Sequence, residues 1–220
     1  MIGRPHVHHR VTDSTNEQAK ELAAAGAAHG TMVTAREQTA GRGRQGREWV
    51  APPGSAVLMS LVLRDFDALL PLRAAVAVAE TVGSEEIKWP NDVWLGGRKV
   101  AGILVEGRPA DGWAVLGIGV NVEPVEFPEE LRAVALDDGR SVDEVLAALL
   151  ASLARWLSVE DPLPEWRRRD ALQGQTIGWV GGAGGVAAGI DDSGALLVDT
   201  PEGRVALQAG EVHLTLTPDT

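Results

Sequence analysis

The sequence predicts an α+β protein. A first domain with a mixed sheet and flanking helices occupies 1–173, and a small β barrel occupies 174–220. Three observations carry this. Before about Gly174, apolar runs of strand length stand among alanine- and leucine-rich segments of helical length. After it, short apolar runs are split by turn signals at Gly181-Gly182, Gly184-Gly185, Asp191-Asp192-Ser193-Gly194 and Pro201-Glu202-Gly203. A chain of 220 residues also has room for one good core plus a small appended domain.

Each element has a local reason. Ser14 with Glu17 fits a capping box, which opens a helix over Gln18–Ala25 that stops at Gly26. Thr31–Ala35 is short and partly β-branched, and Val57–Leu63 is a dense apolar run; both read as strands. Pro71–Val82 has helical length, with proline at a permitted first-turn position. Ile87-Lys88-Trp89 is a short strand ending at Pro90. Asp92–Leu95, the turn Gly96-Gly97 and Arg98–Glu106 form a β-hairpin. Trp113–Val122 is the next strand, interrupted by Gly117 and Gly119. Ser141 and Glu144 make a second capping box, opening a helix with Val145, Leu146, Leu149, Leu150, Leu153, Trp156 and Leu157 on one face. Trp166 and Arg167–Arg169 sit on a further helix, and the β module runs from Thr176 to Leu216. His6, His8 and His9 read as solvated terminal residues.

Composition narrows the chemistry. There is no cysteine, which excludes disulfides, zinc–thiolate sites and thiol catalysis. No apolar run approaches the ~18–20 residues of a membrane span, and the N-terminus lacks a secretory profile, so a cytoplasmic protein is expected. The net charge is −11 and the pI is near 4.9, which argues against a broad nucleic-acid surface. Only three lysines occur, Lys20, Lys88 and Lys99, against seventeen arginines.

Against that background, residues 38–49 stand out as Gln-Thr-Ala-Gly-Arg-Gly-Arg-Gln-Gly-Arg-Glu-Trp. Glycines let a backbone approach a ligand, guanidiniums suit carboxylate and phosphate, and the indole of Trp49 offers a stacking face. Gly41, Gly43 and Gly46 match G-x-G-x-x-G, but Pro52-Pro53-Gly54 forbids the helix that a dinucleotide fold needs there. Taken alone, the run also fits a solvated basic loop.

Three more segments join it. Lys88-Trp89-Pro90-Asn91-Asp92 is a stiff turn carrying a cation, an amide and a carboxylate, equally readable as an ordinary strand end. Lys99 opens an apolar strand in which Gly102 is costly unless something approaches the backbone. Gly117-Ile118-Gly119-Val120-Asn121 is a glycine-flanked strand ending in an amide. Together they describe a cationic pocket with glycine walls, which suits ATP plus a carboxylate. Adenylating a carboxylate brings two anions together, and arginine and lysine offset the repulsion. No nucleophilic side chain is required, and the five histidines have no zinc-ligand spacing.

With Asp13-Ser14-Thr15-Asn16 ahead of them, these motifs resemble the biotin protein ligases, five motifs in order from roughly Asp13 to Leu216. The resemblance implies a class II aminoacyl-tRNA-synthetase-like catalytic domain and an SH3-like C-terminal domain. It implies that biotin and MgATP give biotinyl-5′-AMP and pyrophosphate, and that the adenylate acylates a lysine of a biotin carboxyl carrier protein domain. Ser14, Thr15, Asn16 and Gln38 would then line the biotin ring site, with Gly102 beside it. Arg42, Gly43 and Arg44 would fold over biotin and its adenylate, Arg47 would meet the phosphates and Trp49 would stack near adenine. Lys99 would contact the carboxylate and then the acyl-phosphate. Lys88, Asn91, Asp92 and Asn121 would serve ATP, Mg²⁺ and the incoming lysine. Lys99, Arg44 and Asp92 are the expected catalytic group, with Mg²⁺ on Asp92 or held only through the ATP phosphates.

Some members carry an N-terminal helix-turn-helix domain. Only twelve residues precede Asp13 here, so a monofunctional enzyme without DNA binding is expected, and a homodimer is left open. Two rivals remain. One is a lipoate–protein ligase, against which Ser14-Thr15-Asn16 favours a ureido ring over a dithiolane. The other is a non-catalytic nucleotide-binding regulatory module, against which the intact Lys99, Arg44 and Asp92 count.

Overall fold

A computed structural model describes residues 1–179, 182, 184–208, 210 and 212–214. The chain runs β1 (His6–His9), α1 (Thr15–Ala24), β2 (Met32–Ala35), β3 (Ala56–Leu63), α2 (Leu70–Val82), β4 (Glu86–Lys88), β5 (Asp92–Leu95), β6 (Arg98–Arg108) and β7 (Trp113–Asn121). After these come α3 (Val142–Trp156) and α4 (Leu163–Arg168). The last strands are β8 (Thr176–Trp179), β9 (Gly185–Ile190), β10 (Leu196–Thr200), β11 (Gly203–Leu207) and β12 (Val212–Leu214).

Strands β1 to β7 form one mixed sheet in the order β1-β2-β3-β7-β6-β5-β4. Only the β1–β2 pair is parallel. Every residue of β3 is buried, which explains a run that is apolar at every position but Ser60. Side chains alternate across a strand, so the sheet has two distinct faces. Val57, Met59, Leu61 and Leu63 of β3 join Leu116, Ile118 and Val120 of β7 in the main core under α2 and α3. Val62 and Val115 join Ala19 and Ala23 of α1 in a smaller core on the opposite face.

The hairpin turn is as the glycines require. Gly96 and Gly97 both have positive φ, 58° and 71°, which suits a two-residue connection. Helix α3 carries the complete capping box: Ser141 accepts from the Glu144 N–H, and Glu144 accepts from the Ser141 N–H.

The C-terminal strands form a second, antiparallel sheet in the order β11-β10-β9-β8-β12. It shares the main core through Ile177, Ala187, Ile190, Leu196, Val198 and Val212. Trp89 Nε1 donates to the Gly194 carbonyl at 3.0 Å, and Arg167 Nη2 donates to the Ile190 carbonyl at 3.1 Å. Gly181, Leu216 and the end of the expected module lie outside the described residues. Among the described residues no helix is long and apolar enough to cross a membrane.

The N-terminal histidines are largely exposed, as expected, and form the edge strand β1, where the ring nitrogens of His6 and His8 sit 2.7 and 2.9 Å from Thr34 Oγ1. One local expectation is corrected. The capping box at Ser14 does not form, and the helix starts at Thr15 instead of Gln18. The first helical N–H, that of Thr15, donates to Gln38 Oε1 at 2.7 Å, so a distant side chain caps this helix. Glu17 is drawn outward by Lys20 and Arg42.

Candidate active site

The register of the sheet leaves a hollow beside α1. Gly102 pairs with Gly119, and Leu104 pairs with Gly117. Leu58 and Ser60 of β3 pair with the same two β7 glycines. Three glycines therefore sit together on the face that α1 occupies further along. A Cβ on Gly117 would lie 2.0 Å from Asn16 Oδ1, and one on Gly119 would lie 2.5 Å from the Trp49 ring. Glycine is needed here for close approach, not for a special φ.

The result is a cavity of about 420 Å³. All fifteen residues singled out from the sequence line it: Ser14, Thr15, Asn16, Gln38, Arg42, Gly43, Arg44, Arg47, Trp49, Lys88, Asn91, Asp92, Lys99, Gly102 and Asn121.

One end is polar and ordered. Ser14, Thr15 and Asn16 are buried at the start of α1. Gln38 Oε1 takes both the N–H and the hydroxyl of Thr15, at 2.7 and 3.1 Å. Ser60 Oγ lies 2.9 Å from Thr15 Oγ1 and 2.6 Å from Asn16 Oδ1. Asn16 Nδ2 donates to Glu106 Oε2 at 3.0 Å, which fixes the amide's orientation. Fixed hydroxyl and amide groups in such a hollow suit a small neutral polar ring.

The other end is cationic. Lys99 does not snorkel to solvent. Its ammonium lies 2.7 Å from Asp92 Oδ1 and 5.5 Å from the Trp49 ring centroid. The contact with Asp92 is an ion pair without hydrogen-bond alignment, so Oδ1 is buried with a charge partner but no donor. Asn91 Nδ2 donates to the Ile103 carbonyl at 2.9 Å and turns its oxygen to within 3.5 Å of Arg44 Nη1. Asn121 Nδ2 is tied to the Val134 carbonyl at 3.2 Å, and Lys88 lies over the Trp94 ring at 5.6 Å.

The arginine loop covers this end. A 3-10 turn at Arg44–Gly46 has Gln45 and Gly46 at φ 56° and 76°, and an isolated bridge joins Arg42 to Glu48. No helix follows the glycine motif. Among the described residues no group of three or more His, Cys, Asp or Glu could hold a metal.

Two residues behind the wall have no role assigned from the sequence: Ser60, which interrupts the apolar run Val57–Leu63, and Glu106, which ends the Arg98–Glu106 segment; each bonds Asn16. Arg132, from the segment after β7, and Val212, His213 and Leu214 of β12 reach the cavity only through tertiary packing. The second sheet thus contributes to the wall.

Comparison with known proteins agrees with this layout. Residues 8–123 match the biotin/lipoate A/B protein ligase family, and residues 182–214 match the biotin protein ligase C-terminal domain. The biotin–[acetyl-CoA-carboxylase] ligase of Paracoccus denitrificans is 40% identical over 91% of this chain and 97% of its own length. The bifunctional ligase/repressor BirA of Bacillus subtilis is 34% identical over 97% of this chain and 75% of its own. The solved biotin protein ligase from Aquifex aeolicus in complex with biotin and ATP has a TM-score of 0.83 at 28% identity, covering 96% of this chain and 100% of that one. By its matched family model and by these relatives, the chain belongs to the biotin protein ligase family.

Proposed function

We propose that this one cavity performs both half-reactions of an ATP-dependent biotin protein ligase. The observation that carries the reading is the polarity of the cavity: a neutral hydrogen-bonding end at α1, and a cationic end at Lys99 under the arginine loop. Biotin's ureido ring occupies the first, with Ser14, Thr15, Asn16 and Gln38 around it and its chain running past Gly102. Its carboxylate reaches Lys99.

In the first step a carboxylate oxygen attacks the α-phosphorus of ATP. A C–O–P anhydride forms, the bond to the β-phosphate oxygen breaks, and pyrophosphate leaves. Lys99, Arg44 and Arg47 offset the charge that gathers as the two anions meet. Arg42, Gly43 and Arg44 close over the adenylate, Trp49 presents a stacking face to adenine, and Lys88, Asn91 and Asn121 hold the nucleotide. In the second step a carrier-domain lysine amine attacks the acyl carbon, AMP leaves, and the nitrogen loses a proton.

The donor set fits a Mg²⁺ ion that arrives with ATP. Asp92 Oδ1 is buried without a hydrogen-bond donor, so it has capacity for a further electropositive partner. Asp92 would be its one carboxylate ligand and phosphate oxygens the rest. Once bound, the ion would neutralise phosphate charge.

A boundary near residue 174 sets off a second module that borders the carrier's approach. Val212, His213 and Leu214 on the cavity wall support a place for that module beside the reaction centre. The partner is a biotin carboxyl carrier protein domain. Duplex DNA is disfavoured by the net charge of −11, and a cysteine-free chain is at home in the cytoplasm. The lipoate reading is not favoured, since the curated relatives at 34–40% identity are named for biotin or as BirA.

Intact mass spectrometry of a carrier domain is the test. The carrier should gain one biotinyl group, on one lysine, only when biotin, MgATP and this protein are all present. No gain, or gain without ATP, would refute the reading.

A further inference from the structure

Arg42 lines the cavity, yet its guanidinium is engaged outside it. Nη1 pairs with Glu17 of α1, and Nη2 lies 3.1 Å from Glu106 Oε1 on β6. Lys20 joins the same two carboxylates, at 2.7 Å from Glu17 and 3.4 Å from Glu106. Glu17, Lys20 and Glu106 are not cavity residues. The carboxylates and Lys20 are half-buried, Glu106 at 23% and Lys20 at 24% side-chain exposure, while Arg42 itself is exposed at 46%, so solvent and salt screen its pairs.

The charges are complete only with Arg42 in place. Glu17, Glu106 and Lys20 together carry one excess negative charge, and they sit on rigid elements, α1 and β6. Arg42 comes from the glycine-rich loop and brings the cluster to neutrality. Much of the loop's other bonding is internal: Gly43 N to the Arg47 carbonyl, Trp49 N to the Gly41 carbonyl, and the Arg42–Glu48 bridge. Such bonds shape the loop without attaching it.

Glu106 also serves the opposite end of the cavity. Its Oε1 takes Arg42 and Lys20, and its Oε2 takes the Asn16 amide. One carboxylate therefore touches both the loop and the residue proposed to meet biotin's ring.

From this geometry we infer that Glu106, assisted by Glu17, is the receptor of a latch. It captures Arg42 to hold the arginine loop closed over the adenylate, and it couples that closure to the orientation of Asn16. Glu106 is a positioning residue, and Arg42 acts through its carboxylate partners. The inference rests on the biotinyl-adenylate reading of the cavity.

The test uses the full chain with E106Q, E17Q, R42Q and the double variant R42Q/E106Q. Glutamine keeps an oxygen for Asn16 and removes the charge that Arg42 needs. Two readouts are taken: the rate of biotinyl-AMP release, and tryptic cleavage after Arg44 and Arg47 in the ligand-free protein. E106Q and R42Q should each speed release by about two- to fivefold, the range of one exposed ion pair. The double variant should be no faster than the worse single, because the two residues form one interaction. E17Q should show the same direction with a smaller change. Raising salt should speed release in wild type and do so less in the variants.

Wild-type release rates in E106Q and E17Q, or additive effects in the double variant, would overturn the latch. The protease arm needs no substrate: faster cleavage in E106Q is expected even if the cavity holds another acyl group, and unchanged cleavage counts against the latch alone. A wild-type protein that forms no biotinyl-AMP would overturn the reading beneath it, and the coupling to biotin with it.

Discussion

Replacing Gly117 by alanine isolates the contribution of Asn16. Gly117 does not have a positive φ, so alanine is allowed by the backbone, and the whole effect comes from the added methyl. That carbon would start 2.0 Å from Asn16 Oδ1 and 2.8 Å from its Cγ. Ordinary contact requires the amide to retreat by roughly 1.2–1.5 Å. Asn16 is only 4% exposed and is held by Ser60 at 2.6 Å and Glu106 at 3.0 Å, so it cannot retreat without loosening one or both bonds. A neutral bond contributes about 0.5–1.5 kcal/mol and one to a carboxylate about 1.5–3 kcal/mol. A net cost of about 2 kcal/mol follows if the relaxation is partial. For a chain of this size that lowers Tm by roughly 4–8 °C. Under the assignment proposed for Asn16, the displaced amide would also lose its contact with biotin's ring, weakening biotin about tenfold. Differential scanning calorimetry and calorimetric titration with biotin read the two effects separately. Unchanged stability refutes the clash. Lower stability with wild-type biotin affinity refutes the assignment of Asn16 to the ring site.

Gly119→Ala should differ in kind: its methyl meets the Trp49 ring at 2.5 Å, so ATP affinity should fall more than biotin affinity in paired titrations. Lys99→Ala should keep the fold and lose about 100-fold in adenylation rate, roughly 3 kcal/mol of transition-state stabilisation, measured by single-turnover formation of biotinyl-AMP. Near-normal turnover would remove Lys99 from its role. Burial pushes the Asp170 carboxyl above its ordinary value, against the pull of the Leu172 and Gln173 N–H groups. An acid with a raised folded pKa binds its proton more tightly folded than unfolded, so stability falls as pH rises from the ordinary 3.8 through the raised value. Asp170→Asn removes that titration, and its Tm relative to wild type should rise from pH 4 towards neutrality; a pH-independent difference would contradict this.

What could be read from the sequence was local. The hairpin at Gly96-Gly97, the box at Ser141 and the buried run at β3 each announce themselves within a few residues, and each is present. Gly102 of β6 reads as a site of close approach, and Trp49 makes that approach; Gly117 and Gly119 of β7, read only as flanking a strand, meet Asn16 and Trp49 in the same way. What was missed depends on distant partners. Strand β1 is exposed, His-Val-His-His, with no apolar alternation, and exists because β2 offers it a parallel edge. Ser14 and Glu17 carry the pattern of a capping box, but Gln38 caps the helix and Arg42 claims the glutamate, pairings 23 and 25 residues apart in sequence. Val212, His213 and Leu214 of β12 reach the cavity wall for the same reason: nothing near them in the chain marks them, and tertiary packing brings them there. Glu106 ends the Arg98–Glu106 segment, but its bond to Asn16 joins residues 90 apart in sequence.

The central claim is that the cavity joins biotin to AMP, and ATP–pyrophosphate exchange measures that most directly. Purified protein, MgATP and labelled pyrophosphate should show exchange that depends on biotin, is far weaker with lipoate at equal concentration, and falls about 100-fold in Lys99→Ala. Exchange that ignores biotin, or that proceeds as well with lipoate, would contradict the account.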